Sequence, residues 1–266
     1  MAGESKTNIF FSTFGASVIQ VLNRMGFVVM LLGSSLMKLH YIPRRRGDIL
    51  KQMYIAGFKS LGVCGIVAFF TGMILALQSG LQLIQFQQQH MVGTLVINTM
   101  TKEMGPFMTA LIITASVGSA MASEVGTMKV TEQVDALEIM SINPVQYLVM
   151  PRVVALAVML PVVTVYTTVL GVMGGALISN FQLSLSYDIY FKMVYESIWL
   201  KDIYVGLFKA FVFGIGIAGI SCGNGLKAEN GVLGVGAAIR SSVVASFLMI
   251  LICGYFITSI FYGGTL

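Results

Sequence analysis

Five apolar runs, each of a length to cross a hydrocarbon layer, leave this chain little choice of fold. They lie at about Leu61 to Leu77, Met104 to Ala122, Val153 to Ile178, Val205 to Cys222 and Val243 to Tyr262. A spanning helix needs roughly 20 such residues. Inside lipid every peptide group must be bonded within its own helix or within a closed barrel. The runs are continuous rather than alternating, which points to helices. Only 10% of the 266 residues are charged and 56% are hydrophobic, whereas a soluble domain carries about 25% charged residues. The 29 glycines suit close helix packing in a bilayer. The expected fold is an all-α integral membrane protein with five transmembrane helices.

Ahead of the first run, Phe11, Phe14, Val18, Val21, Met25, Val28, Leu32 and Leu36 recur at three- and four-residue steps. That period marks an amphipathic helix. Asn23 and Arg24 in its middle suit a helix lying in the interface better than one crossing it. Lys38, Arg44, Arg45, Arg46, Lys51 and Lys59 then form a basic segment, the usual topology anchor. No short apolar core followed by a small-residue cleavage site is legible at the N-terminus, so no cleavable signal is expected.

The runs are separated by a glutamine-rich loop, Gln78 to Thr101, and by an aromatic loop, Asn180 to Asp202. Tyr187, Tyr190, Tyr195 and Trp199 in the second loop suit an interfacial belt. Pro161 is expected to kink the third helix. With five crossings, twelve Lys and Arg fall on the N-terminal side and two, Lys192 and Lys201, on the other. The positive-inside rule then places the N-terminus in the cytoplasm and the C-terminus outside. The net charge of +5 follows this topology and does not point to nucleic acid.

The stretch from Thr101 to Arg152 gathers the most informative residues. Lys102 and Glu103 stand at the outer boundary, where charge is costly and often marks a substrate path. Ala115, Ser119 and Ser123 repeat every four residues, as do Gly118, Ala122 and Gly126. Such small-residue stripes allow close approach within one subunit or between two. Beyond them, Glu124, Lys129, Glu132, Asp135 and Glu138 lie on a helical segment whose other face carries Val130, Val134, Leu137 and Met140. An acidic amphipathic helix on the cytoplasmic side suits protein docking and not anionic headgroups.

Other patterns are set aside. Gly214, Gly216 and Gly219 spell GxGxxG, but inside an apolar run with no preceding strand, so helix packing is the expected role. No GxxxxGK[ST] occurs, so any ATP must be hydrolysed by another chain. Cys64, Cys222 and Cys253 lack ligand spacing and read as buried hydrophobes. The carboxylates form no metal-site pattern, and no cofactor is expected in this chain.

Gly118-Ser119-Ala120, Ser123-Glu124-Val125-Gly126-Thr127-Met128, Thr131-Glu132-Gln133, Asp135-Ala136-Leu137-Glu138, Asn143-Pro144 and Pro151-Arg152 together resemble the signature of MlaE-type permeases. Lys102-Glu103-Met104-Gly105-Pro106 resembles that family's basic-Glu-Leu-Gly-Pro element. Two positions depart: Lys102 replaces the usual Arg, and Ser116 stands where the family commonly has Arg. The resemblance covers the whole chain, as one domain over 1–266. Residues 1–59 would be its cytoplasmic and interfacial segment, and 60–266 its five-span core.

The resemblance implies a subunit of an ABC phospholipid transporter in the inner membrane of a diderm bacterium, where it would serve outer-membrane lipid asymmetry. The permease would be a homodimer. A separate ATPase, carrying ATP and Mg, would dock on a cytoplasmic coupling helix at about Glu124 to Ser141. An MCE-domain protein would sit on the periplasmic side, and in many systems a STAS-domain protein binds the ATPase. Phospholipid would occupy a cavity between the two copies, with Lys102 and Glu103 at its mouth. The competing readings are an ion-coupled secondary transporter, which would need ionisable groups near mid-membrane, and a non-transporting scaffold.

Overall fold

Helices account for the architecture of the computed structural model, which describes residues 25–38, 45–229 and 231–263, with Asn23 and Ile42. In chain order they are α1 (Met25–Met37), α2 (Arg46–Ala56) and α3 (Leu61–Gln85), α4 (Gln89–Val130) and α5 (Gln133–Ile139). Then follow α6 (Val145–Leu183), α7 (Tyr187–Glu196), α8 (Leu200–Leu226) and α9 (Gly231–Tyr262). Five are long and apolar enough to cross a membrane: α2 with α3, α4, α6, α8 and α9. The all-α, five-span expectation holds.

The helices outlast their apolar runs. The expected glutamine loop is mostly helix, because α3 continues to Gln85 and α4 begins at Gln89. Glutamine is a good helix former, so a polar helix end beyond the hydrocarbon escapes a hydropathy reading. At 42 residues, α4 is about 63 Å long, twice a hydrocarbon core of about 30 Å. It contains two π turns, Met100–Met104 and Thr114–Gly118. The aromatic loop contains α7. Tyr187, Tyr195 and Trp199 are exposed, but Tyr190 is fully buried and donates to the Val172 carbonyl at 3.1 Å. Tyr190 is therefore core, not belt. Pro161 sits inside α6 without ending it.

Among the described residues three apolar clusters form, two of them large and a third small one at Ala228, Val235 and Ala238. The largest gathers Leu31, Ala110, Ile113, Val125, Leu156, Leu160, Phe213 and Ile217. The second lies towards the α7 end and gathers Val92, Val96, Met100, Val172, Tyr190 and Val194. Glycine makes the crossings tight. A Cβ at Gly72 of α3 would stand 1.8 Å from the Gly171 carbonyl oxygen of α6. The three glycines of GxGxxG face three neighbours: Gly214 meets the Leu156 backbone, Gly216 the Met249 side chain and Gly219 Leu32 of α1. Helix packing accounts for the motif.

In α1, Leu31 and Ser35 are buried, and Val28 and Leu32 lie over Gly223 and Gly219. Met25 and Leu36, expected on the apolar stripe, face outward. The buried line is thus shifted towards Leu31. Phe11, Phe14, Val18 and Val21 lie outside the described residues, as does Arg24.

Candidate functional site

At the junction of the two large clusters, four charged side chains from α4 and α8 form a neutral layer. Its geometry starts with the first π turn of α4. The extra residue of a π turn rotates the following side chains, and here the turn carries both Lys102 and Glu103. On α8, Asp202 and Lys209 are seven residues apart and so share one face. Lys102 Nζ meets Asp202 at 3.1 Å and Lys209 Nζ meets Glu103 at 2.7 Å.

The last helix closes the layer. Lys209 also donates to Thr258 Oγ1 and to the Lys102 carbonyl, at 2.7 and 2.8 Å. Thr258 Oγ1 donates to Glu103 at 2.7 Å, and Tyr262 donates to Asp202 at 2.6 Å. Lys102 and Lys201 lie over the Tyr262 ring at 5.2 and 5.1 Å. A fully desolvated charge is tolerated only when paired and hydrogen-bonded. The side chain of Lys209 is 1% exposed and that of Asp202 8%, whereas Lys102 and Glu103 retain 32% and 43%. The two charges read from the sequence are the open half of the layer. Their partners are the buried half. Neither Asp202 nor Lys209 stood out in the sequence as a partner for them; their seven-residue spacing was the available signal.

The acidic segment divides differently from the expected continuous helix over Glu124 to Ser141. Glu124 and Lys129 belong to α4, which ends at Val130. Glu132 then adopts a left-handed conformation, φ 59°, and breaks the helix before the seven-residue α5. This is a correction: the periodicity runs through the break, but the backbone does not. Glu124 is held by Arg152 of α6 at 2.9 Å, and Lys129 by Asp135 at 2.6 Å. Glu132 and Glu138 are exposed. Within the apolar set only Val134 is fully buried, while Ile139 and Met140 are 85% and 61% exposed.

The two small-residue stripes also part company. Gly118, Ala122 and Gly126 are buried; Gly118 meets Ser221 and Ile217 of α8, and Gly126 meets Ala228 and Val235. Ala115, Ser116 and Ala120 are exposed, with Ser119 and Ser123 half-buried beside them. The Ser116 hydroxyl donates to its own helix at the Ile112 carbonyl, 2.8 Å away.

A bundle of five apolar helices around a paired charged layer, with a short helix hung from one end, is the build of a polytopic membrane protein. The chain belongs to the MlaE permease family, whose description, Permease MlaE, matches residues 49–260. It is 30% identical over 255 residues to the intermembrane phospholipid transport system permease protein MlaE of Haemophilus influenzae, covering 96% of this chain and 98% of the relative. It is 41% identical to a "probable ABC transporter permease protein" of Rickettsia typhi, covering 80% and 83%. It is 33% identical to the chloroplastic protein TRIGALACTOSYLDIACYLGLYCEROL 1 of Arabidopsis thaliana, covering 82% of this chain and 62% of that protein.

Proposed function

We propose that this chain is the transmembrane subunit of an ABC-type transporter that exchanges phospholipid between an inner membrane and a periplasmic MCE-domain partner. A separate subunit would hydrolyse ATP. The near full-length match to the Haemophilus permease carries the reading, since that protein's name specifies intermembrane phospholipid transport.

The surfaces divide the work as follows. The exposed Glu132 and Glu138, with Asp135 and the uncovered Ile139 and Met140, form the ATPase contact. Glu124 and Lys129 support that surface through their bonds to Arg152 and Asp135. Lys102 and Glu103 offer one positive and one negative group side by side at the cavity mouth, suited to a phosphate-bearing headgroup. The open stripe at Ala115, Ser119 and Ser123 meets a second copy of the chain, whereas Gly118 and Ala122 are spent on packing within one copy. The basic side faces the cytoplasm.

Two measurements test this together. Chain and ATPase co-reconstituted in proteoliposomes should transfer labelled phospholipid only with ATP. Asp135→Lys with Glu138→Lys should lose the ATPase on co-purification. Transfer driven by an ion gradient without an ATPase would establish the secondary-transporter reading instead, and no transfer at all would leave a scaffold.

A further inference from the structure

Arg152 is 6% exposed, yet only one of its nitrogens meets an oxygen acceptor. Nη2 donates to Glu124 at 2.9 Å, while Nε and Nη1 are buried without a hydrogen-bond partner. The Cys222 thiol lies beside the guanidinium, and sulfur is a weak acceptor. Buried donors left unmade are costly, and a guanidinium matches phosphate oxygens better than any neutral group.

A cavity of about 130 Å³ opens beside it, between α2 and the start of α6. Its lining includes Asp48, Lys51, Gln52, Tyr147 and Arg152. At roughly 30 Å³ per water, it has room for about four oxygens. Lys51 is exposed at the rim, and Gln52 beside it adds an amide donor. The Asp48 carboxylate is neutralised by Arg45 at 3.2 Å, and the Arg45 guanidinium covers the Tyr147 ring at 4.1 Å. The balance at the cavity is positive. Leu50, Tyr54 and Phe58 form an exposed apolar strip along the same helix and its end, the surface a pair of acyl chains would lie against.

The geometry points to a resident phospholipid site: the phosphate of one headgroup enters the cavity between α2 and α6, meets Arg152 and Lys51, and lays its chains along Leu50, Tyr54 and Phe58. This lipid is distinct from cargo at Lys102 and Glu103, on the opposite end of the bundle. Through Arg152 and Glu124 it ties α2, α6 and α4 together at one guanidinium.

Native mass spectrometry of the purified full chain with dioleoyl phosphatidylglycerol tests it. One lipid per chain should be retained, and Lys51→Ala with Gln52→Ala should weaken retention about tenfold, the loss expected for one charge-assisted contact. Both substitutions lie on the cavity rim, so folding is preserved. Lys59→Ala, which removes a nearby charge outside the cavity, should leave retention unchanged. Equal retention by wild type and the double variant would mean that the donors are met by water only. Displacement by inorganic phosphate would mean a soluble anion site. Either result overturns the lipid site.

Discussion

Lys209 and Glu103 sit 2.7 Å apart, but they are not equally buried: the lysine side chain is 1% exposed and the glutamate 43%. Removing each partner should therefore have a different cost. Glu103→Gln removes the counter-charge of a desolvated ammonium, which keeps only neutral acceptors, and should destabilise by about 3 kcal/mol, near the range for breaking a buried pair. Lys209→Met leaves a carboxylate that can reach solvent and should cost less, about 1–2 kcal/mol. Thermal unfolding in detergent checks the order of the two.

A second contrast lies on the opposite end. Glu124 and Asp135 each hold one cation, but Arg152 is buried and Lys129 is 33% exposed. Asp135→Asn should shift stability by only about 0–1 kcal/mol, as for exposed pairs. Glu124→Ala leaves Arg152 without its one oxygen acceptor and should cost about 2–3 kcal/mol. Melts at low and high salt separate them, since the Lys129–Asp135 pair, exposed at both ends, is screened more than the Glu124 pair with the buried Arg152.

Gly72→Ala should destabilise by about 1–3 kcal/mol, because its Cβ would meet the Gly171 backbone, which cannot rotate away. Gly62→Ala, on the same helix, meets nothing within 4 Å. It should be neutral or gain about 0.5–1 kcal/mol from helix propensity. Equal effects would mean that α3 and α6 do not cross at Gly72.

Cysteine labelling tests orientation. Gln87 in the turn between α3 and α4 and Leu233 at the start of α9 are both exposed. In whole cells a membrane-impermeant maleimide should modify Gln87→Cys, and should reach Leu233→Cys only after permeabilisation. The reverse pattern would invert the charge-based topology.

The number and order of spans were readable because lipid imposes continuous apolar runs. Their ends were not, since Gln82 and Gln85 extend α3 with side chains that hydropathy scores as loop. Lys102 and Glu103 stood out in sequence, but Asp202 and Lys209 are about a hundred residues away, and only folding brings them opposite. The break at Glu132 was hidden for a different reason. A left-handed residue without a glycine signal is uncommon, so the helical period carried straight across it. Glu124 looked like one more surface acid until Arg152, 28 residues later, occupied it.

The charged layer also sets an order of assembly during synthesis. Glu103 leaves the ribosome 106 residues ahead of Lys209 and 155 ahead of Thr258. At about 5–20 residues per second, the glutamate waits roughly 5–20 s for its lysine. Until α8 arrives, Glu103 of α4 lacks its buried lysine, and until α9 arrives that pair lacks the Thr258 hydroxyl. A chain ending before α9 would pair Glu103 with Lys209 but lack the Thr258 and Tyr262 hydroxyls that complete the cluster.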